Sequence, residues 1–498
     1  MSEGKTQNAD IGVDRLLRDG LVLLVPVLVL FGYVLVRPQL LADGDTGWHV
    51  ATGQWMLSHH QVPKMDIFSY TAPDHPWTAH EWLADVLMGV GYSAAGWWGI
   101  LLLYALAMAG LGAILAFQTR RWLEPRAATL LIAWTIAGTM PFILARPHVL
   151  AWVPLALWTV LLLRARDADR TPPLIAVAVM AIWANLHGSF IFGILLITPF
   201  AAEAFFSAPS SRRMEVVRNW TIFVGAALLA CLVTPFGISG LLFPFQLMAM
   251  PALGSVAEWL PSDFSSLGIF QILLLGGLAA SLLLGLRLPA WRIAIVIGML
   301  HMSLSHVRHQ AIFAIVTGLI VAAPLAKGLG LQGPRFSLRN AVMAHSRDAA
   351  KLATVVLFIA IGLAIYRISQ SDTRFDSENV PLTALSHVTP EMRQTRAFNE
   401  YSFGGSLALA GIPVFIDGRI DMYGEDTLQE YLDIIGSKDV GSWRAAQRRW
   451  QIGWTILPPD APLTAVLDSD PKWHRIYEDR WAVMHAADGI ARSMHNDQ

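Results

Sequence analysis

The sequence predicts an α-helical polytopic membrane protein of about 11 transmembrane helices with a small extracytoplasmic α/β domain at its carboxy terminus. Three observations predict it: apolar runs recur up to about residue 368, Lys and Arg fall almost wholly into alternate loops, and a more polar tail follows. Composition agrees, since 54% of the 498 residues are hydrophobic and 15% charged, with mean hydropathy +0.48. Soluble domains carry roughly 25% charged residues, so the chain's expected surroundings are membrane lipids. A formal net charge of -1 tells against nucleic acid as a partner, which calls for a basic patch. The single cysteine, Cys231, excludes an intrachain disulfide framework and a cysteine-based metal site.

The apolar runs place spans near 20–41, 95–117, 127–144, 149–163, 173–187, 190–206, 220–237, 267–286, 291–305, 310–326 and 350–368. The first run is too long for a signal-peptide core and reads as an uncleaved span, which leaves 1–19 as a cytoplasmic amino terminus. Charge tests the count. Loops on the amino-terminal side hold Lys5, Arg15, Arg18, Arg120, Arg121, Arg126, Arg164, Arg166, Arg170, Arg212, Arg213, Arg218, Arg287, Arg292, Lys327, Arg335, Arg339, Arg347 and Lys351, 19 basic residues, against Lys64, Arg146 and Arg308 in the opposite short loops. Such a bias sets orientation. The organisation is therefore a transmembrane domain over 20–368, whose first outer loop is 42–94, and an outward α/β domain over 369–498.

Within the tail, Pro413 to Asp417 and Trp454 to Leu457 read as short strands, Thr427 to Ile435 and Ser442 to Arg449 have helical periodicity, and Trp473 to His485 reads as a closing hairpin. Trp55 to Tyr70 in the first outer loop has helix-like character and reads as lying along the membrane interface.

The residues able to carry chemistry stand at outward span ends. Asp43-Gly44-Asp45-Thr46-Gly47-Trp48-His49 follows the first span, placing two carboxylates and an imidazole at the membrane surface. Carboxylates there can take a proton from an attacking hydroxyl, or bind a divalent cation with a phosphate; an ordinary solvated acidic loop is the plainer alternative. His80-Glu81-Trp82 closes the same loop, so Glu81 can approach that pair, unless it serves only the start of a helix. Four further clusters are Arg146-Pro147-His148, Asn185 with His187-Gly188-Ser189, Thr234-Pro235-Phe236-Gly237, and His306-Val307-Arg308-His309. Ionisable groups at membrane depth are costly and mark function by default. Arginines hold phosphate by paired hydrogen bonds, which makes Arg308 and Arg146, with His309 and His148, the candidate phosphate site. In the tail, Asp417-Gly418-Arg419 reads either as a binding loop at a strand end, or as a turn with Gly418 at positive φ and Arg419 paired to Asp417 or Asp421. Two motifs are set aside. Gly328 to Gly333 spells a dinucleotide fingerprint but follows a span rather than a strand, and the sequon Asn219-Trp220-Thr221 falls on the cytoplasmic side.

With these residues in view, the chain resembles the GT-C superfamily of membrane glycosyltransferases, polytopic enzymes that take sugars from a polyprenyl-phosphate carrier on the outer face. The likeness runs over nearly the whole chain. It is carried by Asp43-Gly44-Asp45 with Trp48-His49, by Trp82-Leu83 after His80-Glu81, by Arg146-Pro147-His148, by Asn185 with His187-Gly188, and by Pro413 to Arg419. The double-Trp-Asp-Tyr-Gly signature of oligosaccharyltransferases is absent; Asn399-Glu400-Tyr401-Ser402-Phe403-Gly404-Gly405 occupies a tail position, and transfer to protein asparagine is not expected.

The resemblance implies an inverting transferase of the bacterial inner membrane. It would move a sugar from a lipid-linked donor to an envelope glycan or lipid acceptor. Asp45 would be the general base, Asp43 would orient the acceptor or hold a cation, and Glu81 would be the reserve base. Arg308, with His309 or Arg146 and His148, would neutralise the leaving phosphate, while His49, His80, Asn185, His187, Asp417 and Arg419 would bind substrate. Two other classes compete: a lipid or oligosaccharide flippase, which needs polar groups at several depths, and a non-catalytic scaffold of an envelope-polysaccharide complex.

Overall fold

The computed structural model describes residues 24–251, 254, 257–331, 354–355, 358–366, 369, 374–437 and 440–496. The start of the first expected span, residues 350–353, 356–357 and 367–368 of the last expected span, Gln332 and Gly333 of the glycine-rich motif, and seven basic residues of the charge count (Lys5, Arg15, Arg18, Arg335, Arg339, Arg347, Lys351) lie outside the described residues.

Up to residue 331 the described chain is helical. Its helices are α1 (Leu24–Val36), α2 (Thr46–His59), α3 (Trp82–Ala95), α4 (Trp97–Arg120), α5 (Pro125–Thr139), α6 (Pro147–Asp167), α7 (Val177–Leu186), α8 (Phe190–Ser207), α9 (Arg213–Cys231), α10 (Ile238–Met248), α11 (Ile269–Leu283), α12 (Ala290–Ser305) and α13 (Gln310–Gly328). Five helical stretches among the described residues are long and apolar enough to cross a membrane: those containing α4, α6, α8, α9 and α13. Five shorter apolar helices accompany them. Pro125 and Pro147 start α5 and α6 at the one turn where a missing N–H costs nothing. Trp158, Trp183, Tyr104, Phe200 and Phe223 fill the bundle core, while Leu229, Leu282 and Leu283 stand exposed. A helix apolar on both its inner and outer faces is what a lipid solvent selects.

Two expected spans end elsewhere. The run at 127–144 stops as a helix at Thr139 because Pro141 follows and the chain tightens into a turn over Met140–Phe142. The run at 220–237 is helical from Arg213 to Cys231. Thr234 closes it by accepting the Phe236 N–H on its hydroxyl at 3.3 Å, and α10 begins as a separate helix.

The first outer loop is mostly helix. Helices α2 and α3 pack face to face, and a Cβ on Gly53 would overlap the Asp85 carbonyl, so the close approach depends on glycine. The stretch expected along the interface bends away at His60, which takes a left-handed conformation, and runs into the tail. Tyr70 N–H donates to the Val414 carbonyl at 3.2 Å, Val414 N–H returns to Phe68 at 3.1 Å, and the Tyr70 hydroxyl donates to Ala397 at 2.7 Å. Trp48, Met56, Tyr70 and Trp77 consequently share one hydrophobic core with Phe398, Phe403, Phe415, Trp443 and Trp454 of the tail.

The tail carries a four-stranded sheet, β1 (Arg396–Asn399), β2 (Ile452–Leu457), β3 (Trp473–Glu478) and β4 (Val483–Ala487), in order β1-β2-β4-β3. Strand β1 runs parallel to β2, and the other pairs are antiparallel. The hairpin and the strand at 454–457 match expectation, as do the helices Ile420–Ile435 and Val440–Trp450. Pro413 to Asp417 does not join the sheet. The Asn399 side chain takes a strand's place beside it, its Oδ1 accepting from Phe415 N–H and its Nδ2 donating to the Ile416 carbonyl, both at 2.8 Å.

The outer unit seats on α2 through glycine. A Cβ on Gly47 would overlap the Gly405 carbonyl, and one on Gly44 would overlap that of Ser402. Gly47→Ala should therefore lower the melting temperature in detergent, by an overpacking cost of about 1–3 kcal/mol. Gly225→Ala, on an open face of α9, should hold or raise it. Circular dichroism during heating reads both.

Candidate active site

Arg146 is the electrostatic centre of the site. Its Nε donates to Asp43 Oδ1 at 2.7 Å, its Nη2 lies 2.7 Å from Asp45 Oδ2, and its Nη1 donates to Glu258 Oε1 at 2.8 Å. Asp43 also accepts the Asp45 N–H at 2.9 Å, which sets the turn between the two carboxylates. Thr46 Oγ1 donates to the Ala145 carbonyl at 3.2 Å and Ala145 N–H to Leu40 at 2.9 Å, so the start of α2 is stitched to the start of α6. Burial raises the Asp45 pKa and Arg146 lowers it, the balance resting at about 6. Arg146 stands where a cation bridging Asp43 and Asp45 would have to sit. Among the described residues no group of three His, Cys, Asp or Glu is arranged to hold a metal, so the side chains as placed do not fit the divalent cation that the sequence allowed.

A second centre surrounds Glu81. The Nε2 atoms of His187, His80 and His49 lie 3.4, 3.6 and 3.9 Å from its oxygens. His49 Nδ1 and Asp85 Oδ1 are 2.6 Å apart across the α2–α3 contact. Burial pushes Glu81 up to about 8, drives the pKa of His49 down and that of Asp85 up, and lowers His80 to about 4. At neutral pH Glu81 is protonated and Asp45 ionised. Two carboxylates in one cavity have been driven apart by their surroundings.

Both centres line a cavity of about 290 Å³. One wall is apolar, from Phe142, Phe192, Phe243, Leu247, Met248 and Ile312. Arg308 lies in another, its guanidinium 4.4 Å over the Trp259 ring and, among the described residues, in no salt bridge. The tail supplies the roof with Tyr401, Gly418, Arg419, Ile420 and Asp421. Gly418 has no positive φ; it is needed because a Cβ there would overlap Asp45. Arg419 is buried, pairs with Asp417 at 2.6 Å and Asp66 at 2.8 Å, and leaves Nη1 without a hydrogen-bond partner. Asp45, Glu81, Arg146, Ser189, His309 and Arg419 each occupy the N-cap of a helix, α2, α3, α6, α8, α13 and Ile420–Ile435 respectively. None of the six side chains caps its own helix. The helix after Arg419 breaks at Gly424 (φ 76) after one turn, so five sustained positive helix ends border the cavity, an arrangement suited to an anion.

Of the residues singled out in the sequence, Asp45, His49, His80, Glu81, Arg146, His148, His187, Arg308, His309 and Arg419 line this cavity. Asp43, Asn185 and Asp417 stand behind it. Asp43 orients Arg146; Asn185 accepts from Trp82 Nε1 at 2.6 Å and donates to Val233 at 2.8 Å, tying α3 to α7 and α9; Asp417 holds Arg419. His148 Nε2 lies 3.0 Å from the Phe142 carbonyl. Sequence reading missed Glu258, Trp259 and Tyr401. Glu258-Trp259, in a loop between apolar runs that is otherwise poor in charge, was the available signal.

No protein-family model and no curated protein sequence matches the chain. Solved structures do, and with the site they define the class: this is a multi-pass membrane protein with a GT-C-like fold. The particular likenesses include the oligosaccharyltransferase of Archaeoglobus fulgidus in its apo form, at TM-score 0.52 and 13% identity over 87% of this chain and 69% of that one. The oligosaccharyltransferase AglB from Archaeoglobus fulgidus, in complex with an inhibitory peptide and a dolichol-phosphate, gives 0.54 and 12% over 88% and 69%. ArnT from Cupriavidus metallidurans bound to undecaprenyl phosphate gives 0.48 and 14% over 94% and 98%.

The buried carboxyls predict a pH dependence of stability. Glu81 holds its proton in the folded state up to about 8 but releases it near 4.5 when unfolded, so its contribution is complete below 4.5 and is lost as pH rises through 8. The melting temperature should fall across that window, and Glu81→Gln should flatten the fall between about pH 6 and 8.

Proposed function

We propose that the protein is an inverting glycosyltransferase that moves a sugar from a polyprenyl-phosphate carrier to an envelope glycan or lipid acceptor on the outer face of the bacterial inner membrane. The observation that carries this reading is the cavity itself. An ionised carboxylate, an arginine outside any salt bridge among the described residues and five helix N-termini meet beside an apolar wall. A lipid-linked phosphate is both anionic and attached to a long apolar chain, and that pairing matches the walls. Dolichol-phosphate in the archaeal enzyme of the same fold is a chemically similar occupant.

In the reaction, the acceptor hydroxyl gives its proton to Asp45 as its oxygen bonds to the anomeric carbon. The bond from that carbon to the phosphate oxygen breaks on the opposite side, the configuration inverts, and the electron pair departs on the lipid phosphate. Asp45 suits a base because it is ionised at neutral pH with a pKa of about 6, whereas Glu81, at about 8, still holds its proton. Arg146 and Asp43 position Asp45. Arg308, with His309 and the helix ends, neutralises the leaving phosphate, the larger electrostatic contribution in a site partly closed to water. Arg419 Nη1 and Asp421, in the roof, face the sugar. His49, His80 and His187 border the same space around Glu81.

The count of eleven spans and the outward orientation belong to this reading. Helices α1, α4 to α9 and α11 to α13 with the segment 350–368 supply the eleven, and α10 lies at the interface. Cysteines introduced at His75 and Glu478, both exposed, should react with an impermeant thiol reagent in intact spheroplasts, and one at Ser211 should be protected. The reverse pattern overturns the orientation.

Asp45→Asn should reduce turnover by about 10²–10⁴-fold with little change in donor binding, and the wild-type rate should rise as pH passes about 6. Arg308→Ala should weaken donor binding and cut turnover by about 10²–10³-fold. Release of polyprenyl phosphate from a lipid-linked sugar reads both. If Asp45→Asn keeps wild-type turnover while Glu81→Gln abolishes it, the base is Glu81; if well-folded forms of both retain function, a scaffold or transporter replaces the enzyme.

A further inference from the structure

A second cavity, of about 430 Å³, lies at the far end of the bundle, between the end of α6, the loop 168–176 and the start of α9. Helix α6 has 21 residues, which at about 1.5 Å each span about 30 Å, the thickness of a bilayer's hydrocarbon core. With His148 at its start in the first cavity and Arg166 at its end in the second, the two cavities face opposite leaflets. The charge turned into the second cavity is unequal. Arg166 is 6% exposed; its Nη1 reaches Asp169 at 3.3 Å, while its Nε has no hydrogen-bond partner, with Glu203 at 3.7 Å. Arg170 forms no salt bridge among the described residues, and Arg212 reaches Asp169 and Glu215 only at 3.4 and 3.7 Å. Asp169, Glu215 and Arg212, which also line the space, are 63%, 52% and 51% exposed, so water screens all three, whereas Arg166, the buried ionisable group of this lining, is cationic. Trp220 and Phe223 form an apolar floor. Leu174 and Ile222, which also line it, and the adjacent Ile175 project outward with 55%, 52% and 79% exposure, at the depth of acyl chains.

We propose that this cavity binds an anionic membrane phospholipid, its phosphate on Arg166, Arg170 and Arg212 and its acyl chains along Leu174, Ile175 and Ile222. Basic pockets between transmembrane helices take such headgroups, and the volume falls within the range of small-ligand sites. The site is independent of the proposed transfer reaction, a bilayer's thickness away.

Native mass spectrometry of the full chain in neutral detergent tests it, with phosphatidylglycerol and phosphatidylcholine offered in equal amounts. The wild type should retain phosphatidylglycerol selectively. Arg170→Ala, an exposed position that should fold normally, and Arg166→Gln should each weaken retention about fivefold, and Arg170→Lys should preserve it. Unchanged selectivity in folded Arg170→Ala would overturn the proposal. So would displacement of the lipid by millimolar inorganic phosphate, since the site would then hold a free anion.

Discussion

The three carboxylates that share Arg146 hold the outer half of the molecule together. Each buried charge costs several kcal/mol to desolvate, and only close opposite charge with good hydrogen bonds offsets that cost. One guanidinium supplies this for Asp43 and Asp45 at the start of α2, and for Glu258, more than a hundred residues away in the chain. Removing Arg146 would strand three negative charges beside one another. The bundle helix that carries Arg146 and the outer helix that begins at Asp45 are therefore obliged to meet, and everything stacked on α2 inherits that position. The tail is stacked there directly, through Gly44, Gly47 and Gly418.

From that fixed point the chemistry follows the direction of the helices. A bundle helix that starts on the Arg146 side presents its free N–H groups there, and α6, α8 and α13 all do so at the cavity. Helices α2 and α3 add their own N-termini there. The opposite ends carry a different arrangement, in which Arg292 binds Glu203 through two hydrogen bonds of 2.9 and 3.0 Å and Arg121 holds Asp167 at 3.0 Å. Those four charges are paired off, whereas around Glu81 a protonated carboxyl and the imidazoles of His49 and His80 stay neutral through burial. A site kept neutral by desolvation is free to respond when a charged ligand enters.

Much of this was legible because two physical signals are local. Apolar run length reports a helix in lipid, and the ends of those runs report which ionisable groups share a face, which is how Asp45, Glu81, Arg146 and Arg308 came to be grouped. What was not legible depends on distant partners. Helix α2 looked like part of a loop because its packing rests on Gly53 against Asp85 and Gly47 against Gly405, contacts that periodicity within one segment cannot reveal. The Pro413 to Asp417 segment has strand composition, but its partners are an asparagine side chain and, at Val414, the loop backbone of Phe68 and Tyr70 rather than a strand of the sheet. Asn185 and Asp417 carry the same chemical types as their neighbours in the cavity. Only geometry separates an amide that joins three helices from one that meets a ligand.

The remaining constraint concerns how the proposed lipid-borne substrate would reach this site. The tail covers it on one side, with Gly418 against Asp45, and widening it there would pull the tail from α2 and disturb the core shared by Trp48, Trp77 and Phe415. The apolar wall is different. Phe243, Leu247 and Met248 of α10 line the cavity, while Ile238, Leu242 and Phe245 of the same short helix are exposed. That wall is one helix thick, and the helix is interrupted by Pro244 and preceded by a positive-φ glycine, Gly237. A side opening past α10 disturbs apolar contacts that lipid chains can replace at little cost, whereas an opening through the roof exposes a buried ion pair and a core. The cheaper path runs from the bilayer, the direction from which a polyprenyl chain would come.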